Sequence, residues 1–185
     1  TNMLRGDQHI LLRQGLRFLS NTMGSINFKA LQGAEKEGKI LQEAAVETGL
    51  STVLMEKNKA KEISLRQFSN RPAFLHIATH GFFLKENEQL QKRLLKIERS
   101  PEFIVPLPGD NPLLRTGLAL AGFNYSASNL GSVDTDNDGI LTAMEILSLD
   151  LQGTQMVVLS ACETGLGKIH EGEGVYGLRR SFQEA

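Results

Sequence analysis

The sequence predicts an α/β fold: a mainly parallel sheet with helices on both faces, three layers in an αβα sandwich. Three observations carry this. Ala73–Ala78, Thr116–Gly122 and Gln155–Ala161 are continuous apolar runs of strand length, the pattern of strands buried on both faces. These runs alternate with helical segments, as in βαβ units. Two of them end at a reactive side chain followed by glycine, His80-Gly81 and Cys162-Glu163-Thr164-Gly165. In open α/β sheets the chemistry sits just beyond the carboxyl ends of the strands.

Taken in order, residues 1–30 have no clean period, and the mixed apolar and basic stretch from His9 to Leu19 is assigned no type. Ala34–Glu47 reads as a helix through Ile40, Leu41, Ala44 and Ala45, with Gly49 as its C-cap. Ser51–Met55 is a short β-branched run. Asn58 is expected to cap a second helix reaching Phe68, and Pro72 stops it before the first catalytic strand. Asn87–Glu98 reads as a charged, exposed helix. Pro101, Pro106, Pro108 and Pro112, with Gly109, mark an extended loop. Thr116–Gly122 is a third core strand and Phe123–Asp138 a loop rich in Gly, Ser, Asn and Asp. Leu141–Leu147 is a short helix, and Gly174–Ala185 closes the chain as another.

Composition narrows the function. The 185 residues fit one domain, and 41% hydrophobic with 22% charged residues is ordinary for a globular protein. Twenty basic against 21 acidic side chains give a net charge of −1, which provides no electrostatic case for nucleic acid or an anionic membrane. The single cysteine rules out an intrachain disulfide and suits a reducing, cytoplasmic compartment. No apolar run resembles a signal peptide or reaches membrane-spanning length. A chain that starts at Thr1 and stops at Ala185 inside a helical pattern reads as cut at both ends.

If the two catalytic strands are neighbours, His80 and Cys162 meet at one sheet edge. A free thiol is mostly protonated at neutral pH and needs a base or a positive field to become a good nucleophile. His80 can take that proton and later return it to a leaving amine. His76 competes for the role. It points to the same face but lies four residues deeper, and so reads as a satisfied core histidine. Thr79 is either a hydrogen-bonding neighbour of the site or simply a β-branched strand residue.

Five ordered blocks now resemble one family. They are His76-Ile77-Ala78-Thr79-His80-Gly81-Phe82-Phe83, the run from Gly117 to Gly122, Asp138–Ala143, Leu159–Gly167 and Gly172–Phe182. Together they resemble the CHAT domain, a caspase-like module of cysteine-peptidase type that often accompanies TPR repeats. The resemblance divides the chain into an N-terminal segment, 1–30, and a partial CHAT domain, 31–185, whose C-terminal strand and loop are missing. It implies a caspase-like fold and a cysteine endopeptidase, a hydrolase acting on a protein or peptide substrate. No cofactor is required, and a TPR-type partner or an upstream sensor domain would control it. It also implies that the main-chain N–H groups of Gly81 and Cys162 bind the developing oxyanion.

A separate signal is the acidic loop. Asp134, Asp136, Asp138, the Ile140 carbonyl and Glu145 fit the EF-hand calcium pattern at every specified position. However, no amphipathic helix precedes Asp134, and Thr142 with Glu145 forms a capping box for the following helix. The cap explains both residues without metal and is the stronger reading. Three functions therefore compete: the endopeptidase, a catalytically silent caspase-like interaction scaffold, and a calcium-responsive regulatory module.

Overall fold

In the computed structural model, residues 27–68, 71–84, 111–128, 137–163 and 173–185 are described. The expected helix over Asn87–Glu98, most of the proline-rich loop, and the turn at Gly165 and Gly167 lie outside them.

Helix α1 (Gln32–Glu47) ends where Gly49 adopts φ +77°, the left-handed C-terminal position expected of it. The expected second helix is broken in two. Lys57–Lys59 form a 3₁₀ turn with Asn58 inside it, and α2 (Glu62–Arg66) starts after Lys61. Asn58 is therefore not the cap. The break lets Glu62 turn inward, where it is fully buried and accepts the Gly139 N–H at 2.6 Å.

Strand β1 (Phe74–Phe83) is the axis of the sheet. It runs parallel to β4 (Met156–Glu163), in unbroken register from Phe74 opposite Met156 to Gly81 opposite Glu163. Its last four residues, His80–Phe83, pair antiparallel with β2 (Thr116–Ala119), which pairs antiparallel with β3 (Ile140–Thr142). The order is β3-β2-β1-β4. The sheet is thus mixed, and the expectation of a mainly parallel one is corrected. An apolar run buried on both faces carries no mark of direction, so Thr116–Gly122 gave no warning that it runs against β1.

Short helices complete the domain. In α3 (Pro112–Arg115), the Asn111 side chain accepts the Leu113 N–H at 3.0 Å and Pro112 occupies the first turn. Helix α4 (Phe123–Ser128) replaces part of the expected loop. Its Asn and Ser residues are weak helix formers, and tertiary contacts of the buried Phe123 hold it. Helix α5 (Ala143–Ile146) follows β3 with the expected Thr142–Glu145 capping box. Helix α6 (Glu173–Glu184) closes the described chain.

The core lies on the face of β1 that carries Leu75 and Ile77, joined by Leu118, Leu141, Ile146, Leu178 and Phe182. Each fully buried aliphatic side chain contributes about 1.5–3 kcal/mol. Gly117 is needed in β2 because a Cβ there would come within 2.6 Å of the Phe82 ring. The opposite face carries His76 and His80. There α1 buries none of its residues, so the second packed helical layer that a caspase-like three-layer sandwich requires is not established.

Candidate active site

The parallel register sets His80 directly opposite Cys162. Neighbouring strands lie roughly 4.8 Å apart, so two residues far apart in sequence become lateral neighbours. His80 is not at a strand end, however. β1 continues through Gly81, Phe82 and Phe83, all buried and all paired to β2. The apolar Phe82-Phe83 pair extends the strand and joins it to β2.

The segment before α1 reaches the imidazole. His80 Nε2 lies 2.7 Å from the Lys29 carbonyl oxygen. A carbonyl only accepts, so Nε2 carries a hydrogen. The Phe28 ring stacks on the imidazole with centroids 4.6 Å apart and planes 20° apart. Its other neighbour is Phe123, edge-on at 4.8 Å. The Phe28 main chain is held by Asn124, whose Oδ1 accepts the Phe28 N–H at 2.9 Å and whose Nδ2 donates to the Phe28 carbonyl at 2.8 Å. None of these contacts was visible in residues 1–30, which have no periodic signal. Phe28 alone hinted at one, as an aromatic within a polar stretch.

His76 is held differently. Its Nε2 lies 2.8 Å from Glu37 Oε1, and Glu37 Oε2 accepts the Ser160 hydroxyl at 2.9 Å. One carboxylate of α1 therefore bridges β1 and β4. Thr79 donates its hydroxyl to the Ala119 carbonyl, so it closes the β1–β2 edge. Gly81 lies between Leu118 and Glu163 in the ladder. A Cβ there would meet Ala161 Cβ at an ordinary 3.7 Å, so packing does not require glycine at this position.

Beside His80 a cavity of about 720 Å³ opens between β1 and the segments carrying Leu31, Val53, Met55, Leu65 and Phe68. Its walls are mainly apolar, with His76 and His80 on one side.

A family model described as the CHAT domain matches residues 6–185. The chain belongs to the CHAT domain family. That family is related to the caspase-like cysteine peptidases. No curated protein and no solved structure matches the chain. Among the described residues of this CHAT domain, no helix is long and apolar enough to cross a membrane.

Two acids of this stretch of the CHAT domain, Asp138 and Glu145, are engaged from within. Glu145 is buried, and its Oε2 accepts both the N–H and the hydroxyl of Thr142, each at 2.8 Å. Its Oε1 lies 3.3 Å from Arg66 Nη2. Asp138 Oδ1 accepts the Ile140 N–H at 2.7 Å, and Ile140 itself pairs with Ala119 in the sheet. Asp134 and Asp136 lie outside the described residues. Among the described residues, no three His, Cys, Asp or Glu side chains are grouped so as to hold a metal ion.

Glu62, which looked like an ordinary helix-surface charge, joins this corner. Burial, then the charges of Asp138 and Glu145, push its carboxyl up to about 9, against the opposing pull of the Gly139 N–H and Arg66. Burial foremost, with Glu145 adding to it, raises Asp138 as well, while the Ile140 N–H opposes the rise. Three carboxyl groups share one arginine, so a proton on Glu62 relieves their repulsion.

Proposed function

We propose that this CHAT domain is a cysteine endopeptidase whose dyad is His80 and Cys162, acting on a protein or peptide substrate. The observation that carries the reading is the parallel register placing residue 80 beside residue 162. The Lys29 carbonyl supports it by accepting the Nε2–H and so orienting the imidazole.

In the proposed reaction, Nδ1 takes the thiol proton and the sulfur attacks the scissile carbonyl carbon. The resulting oxyanion is met by the main-chain N–H groups of Gly81 and Cys162. A glycine at 81 that packing does not require fits a position where substrate approaches the main chain. The imidazolium then protonates the departing amine, leaving a thioester that water hydrolyses with His80 again as base. The apolar cavity beside His80 is the proposed seat for a substrate side chain. Control by a TPR-type partner or an upstream sensor belongs to the same proposal and rests on the family resemblance.

The test is peptide cleavage by the chain and its variants. Cleavage should be lost in Cys162→Ala and His80→Ala and retained in His76→Ala. A folded chain that cleaves nothing and whose thiol reacts no faster than free cysteine would instead be the silent interaction scaffold.

A further inference from the structure

We propose that Asn124 is a positioning residue for His80, acting through the main chain of Phe28 and Lys29. Its catalytic consequence rests on the dyad reading, whereas the positioning stands on geometry alone.

An asparagine side chain presents a carbonyl acceptor and an NH2 donor group, and Asn124 turns both to a single residue, at 2.9 Å to the Phe28 N–H and 2.8 Å to its carbonyl. This reproduces the paired hydrogen bonds of a strand neighbour and fixes the direction of the chain at Phe28. The next carbonyl, that of Lys29, then falls 2.7 Å from His80 Nε2. The Phe28 ring meanwhile stacks on the imidazole and meets Phe123, the residue just before Asn124. Two contacts on His80, one polar and one aromatic, thus come from one dipeptide anchored at the start of α4.

The circuit closes through the sheet. His80 is opposite Ala119 at the end of β2. From there Leu120 accepts the Phe123 N–H at 3.2 Å, and Gly122 accepts the Ser126 N–H at 3.0 Å. Asn124 is therefore fixed relative to β1 before it touches Phe28. Only an amide of this length makes both bonds. Aspartate keeps the acceptor but sets a carboxylate against the Phe28 carbonyl, and alanine makes neither bond.

With the clamp gone, the Lys29 carbonyl is no longer held against Nε2 and the imidazole loses its orientation. A misplacement of about 1 Å costs up to ~10²-fold in rate, so the loss should fall on kcat with KM nearly unchanged.

The test uses the full chain with nitrogen-15 labelled histidine, in the Cys162→Ala background so that no cleavage intervenes. The His80 Nε2–H proton, shielded by a carbonyl and a stacked ring, should give an observable NMR resonance. Asn124→Ala and Asn124→Asp should lose it to solvent exchange while the melting temperature stays close to that of the parent. Phe28→Leu should keep it, because both main-chain bonds survive. Persistence of the resonance in a folded Asn124→Asp protein overturns the proposal. If Asn124→Ala does not fold, Asn124→Asp alone decides. If the parent chain cleaves no peptide yet the resonance depends on Asn124, the positioning stands and the peptidase reading fails.

Discussion

The His80 face and the Glu62–Asp138–Glu145 corner are both polar clusters in a small domain, and they are built on opposite principles. At the corner three buried carboxyl groups are met from within, by Arg66, by the Thr142 cap, or by the N–H groups of Gly139 and Ile140, with Glu62 Oε2 alone lacking a hydrogen bond. On the sheet face His80 is only partly buried, gives its Nε2–H to the Lys29 carbonyl, and borders a cavity of about 720 Å³. Buried charges that answer one another hold loops in place. An imidazole held in place beside a mainly apolar cavity has the features of a reactive site. The contrast teaches that carboxylate density, which drew attention to the acidic loop, is a poorer guide to chemistry than whether a group borders a cavity.

The largest effect should come from the sheet face. Cys162→Ala and His80→Ala are expected to abolish peptide cleavage with little change in melting temperature, since the first removes only a small volume and His80 is only partly buried. A thermal melt run beside the activity assay checks both halves of that statement.

The corner should answer in stability instead. Glu145→Ala removes two Thr142 bonds and the Arg66 partner, and should cost about 4.5 kcal/mol, taking three charge-assisted bonds at about 1.5 kcal/mol each. Chemical denaturation measures it. A loss below 1 kcal/mol would mean that the corner is not the anchor described.

The two regions also separate by pH. Glu62 is raised in the folded state from 4.5 to about 9. A raised group contributes stability that is fully present below its unfolded value and lost as pH rises through its folded value. The chain should therefore lose stability between about pH 4.5 and 9, and Glu62→Gln, which cannot ionise, should flatten that decline. Melting temperatures across the range would reveal a parallel decline in both proteins if the assignment is wrong.

Smaller effects follow. His76→Ala should lower stability by about 1 kcal/mol through loss of the Glu37 bond while leaving cleavage intact. Calcium should leave the melting temperature unmoved, because both Glu145 oxygens are already engaged. A calcium-dependent rise abolished by Asp136→Ala would restore the metal reading.

Much of the framework was legible in the residues. β1 and β4 are long enough for their apolar runs to be unmistakable, and the Thr142–Glu145 box is a local signal that the fold obeys. Apart from the β1–β4 pairing, what escaped was set by partners distant in sequence. β3 has only three residues, too few for a period. The antiparallel course of β2 depends on the end of β1. Helix α4 exists because Phe123 is buried, against the preference of its Asn and Ser residues. Glu62 and the Phe28–Lys29 dipeptide look like ordinary surface sequence, and only folding brings them to Asp138 and to His80.

The central claim is that His80 activates Cys162, and the chain offers a direct measurement because it contains a single cysteine. Intact mass after brief exposure to a cysteine-directed peptidyl electrophile reports that thiol alone. The account predicts one adduct in the parent chain and in His76→Ala, with labelling slowed by at least roughly 10²-fold in His80→Ala, the lower end of what a positioned base contributes. Equal labelling rates in the parent and His80→Ala proteins would contradict it.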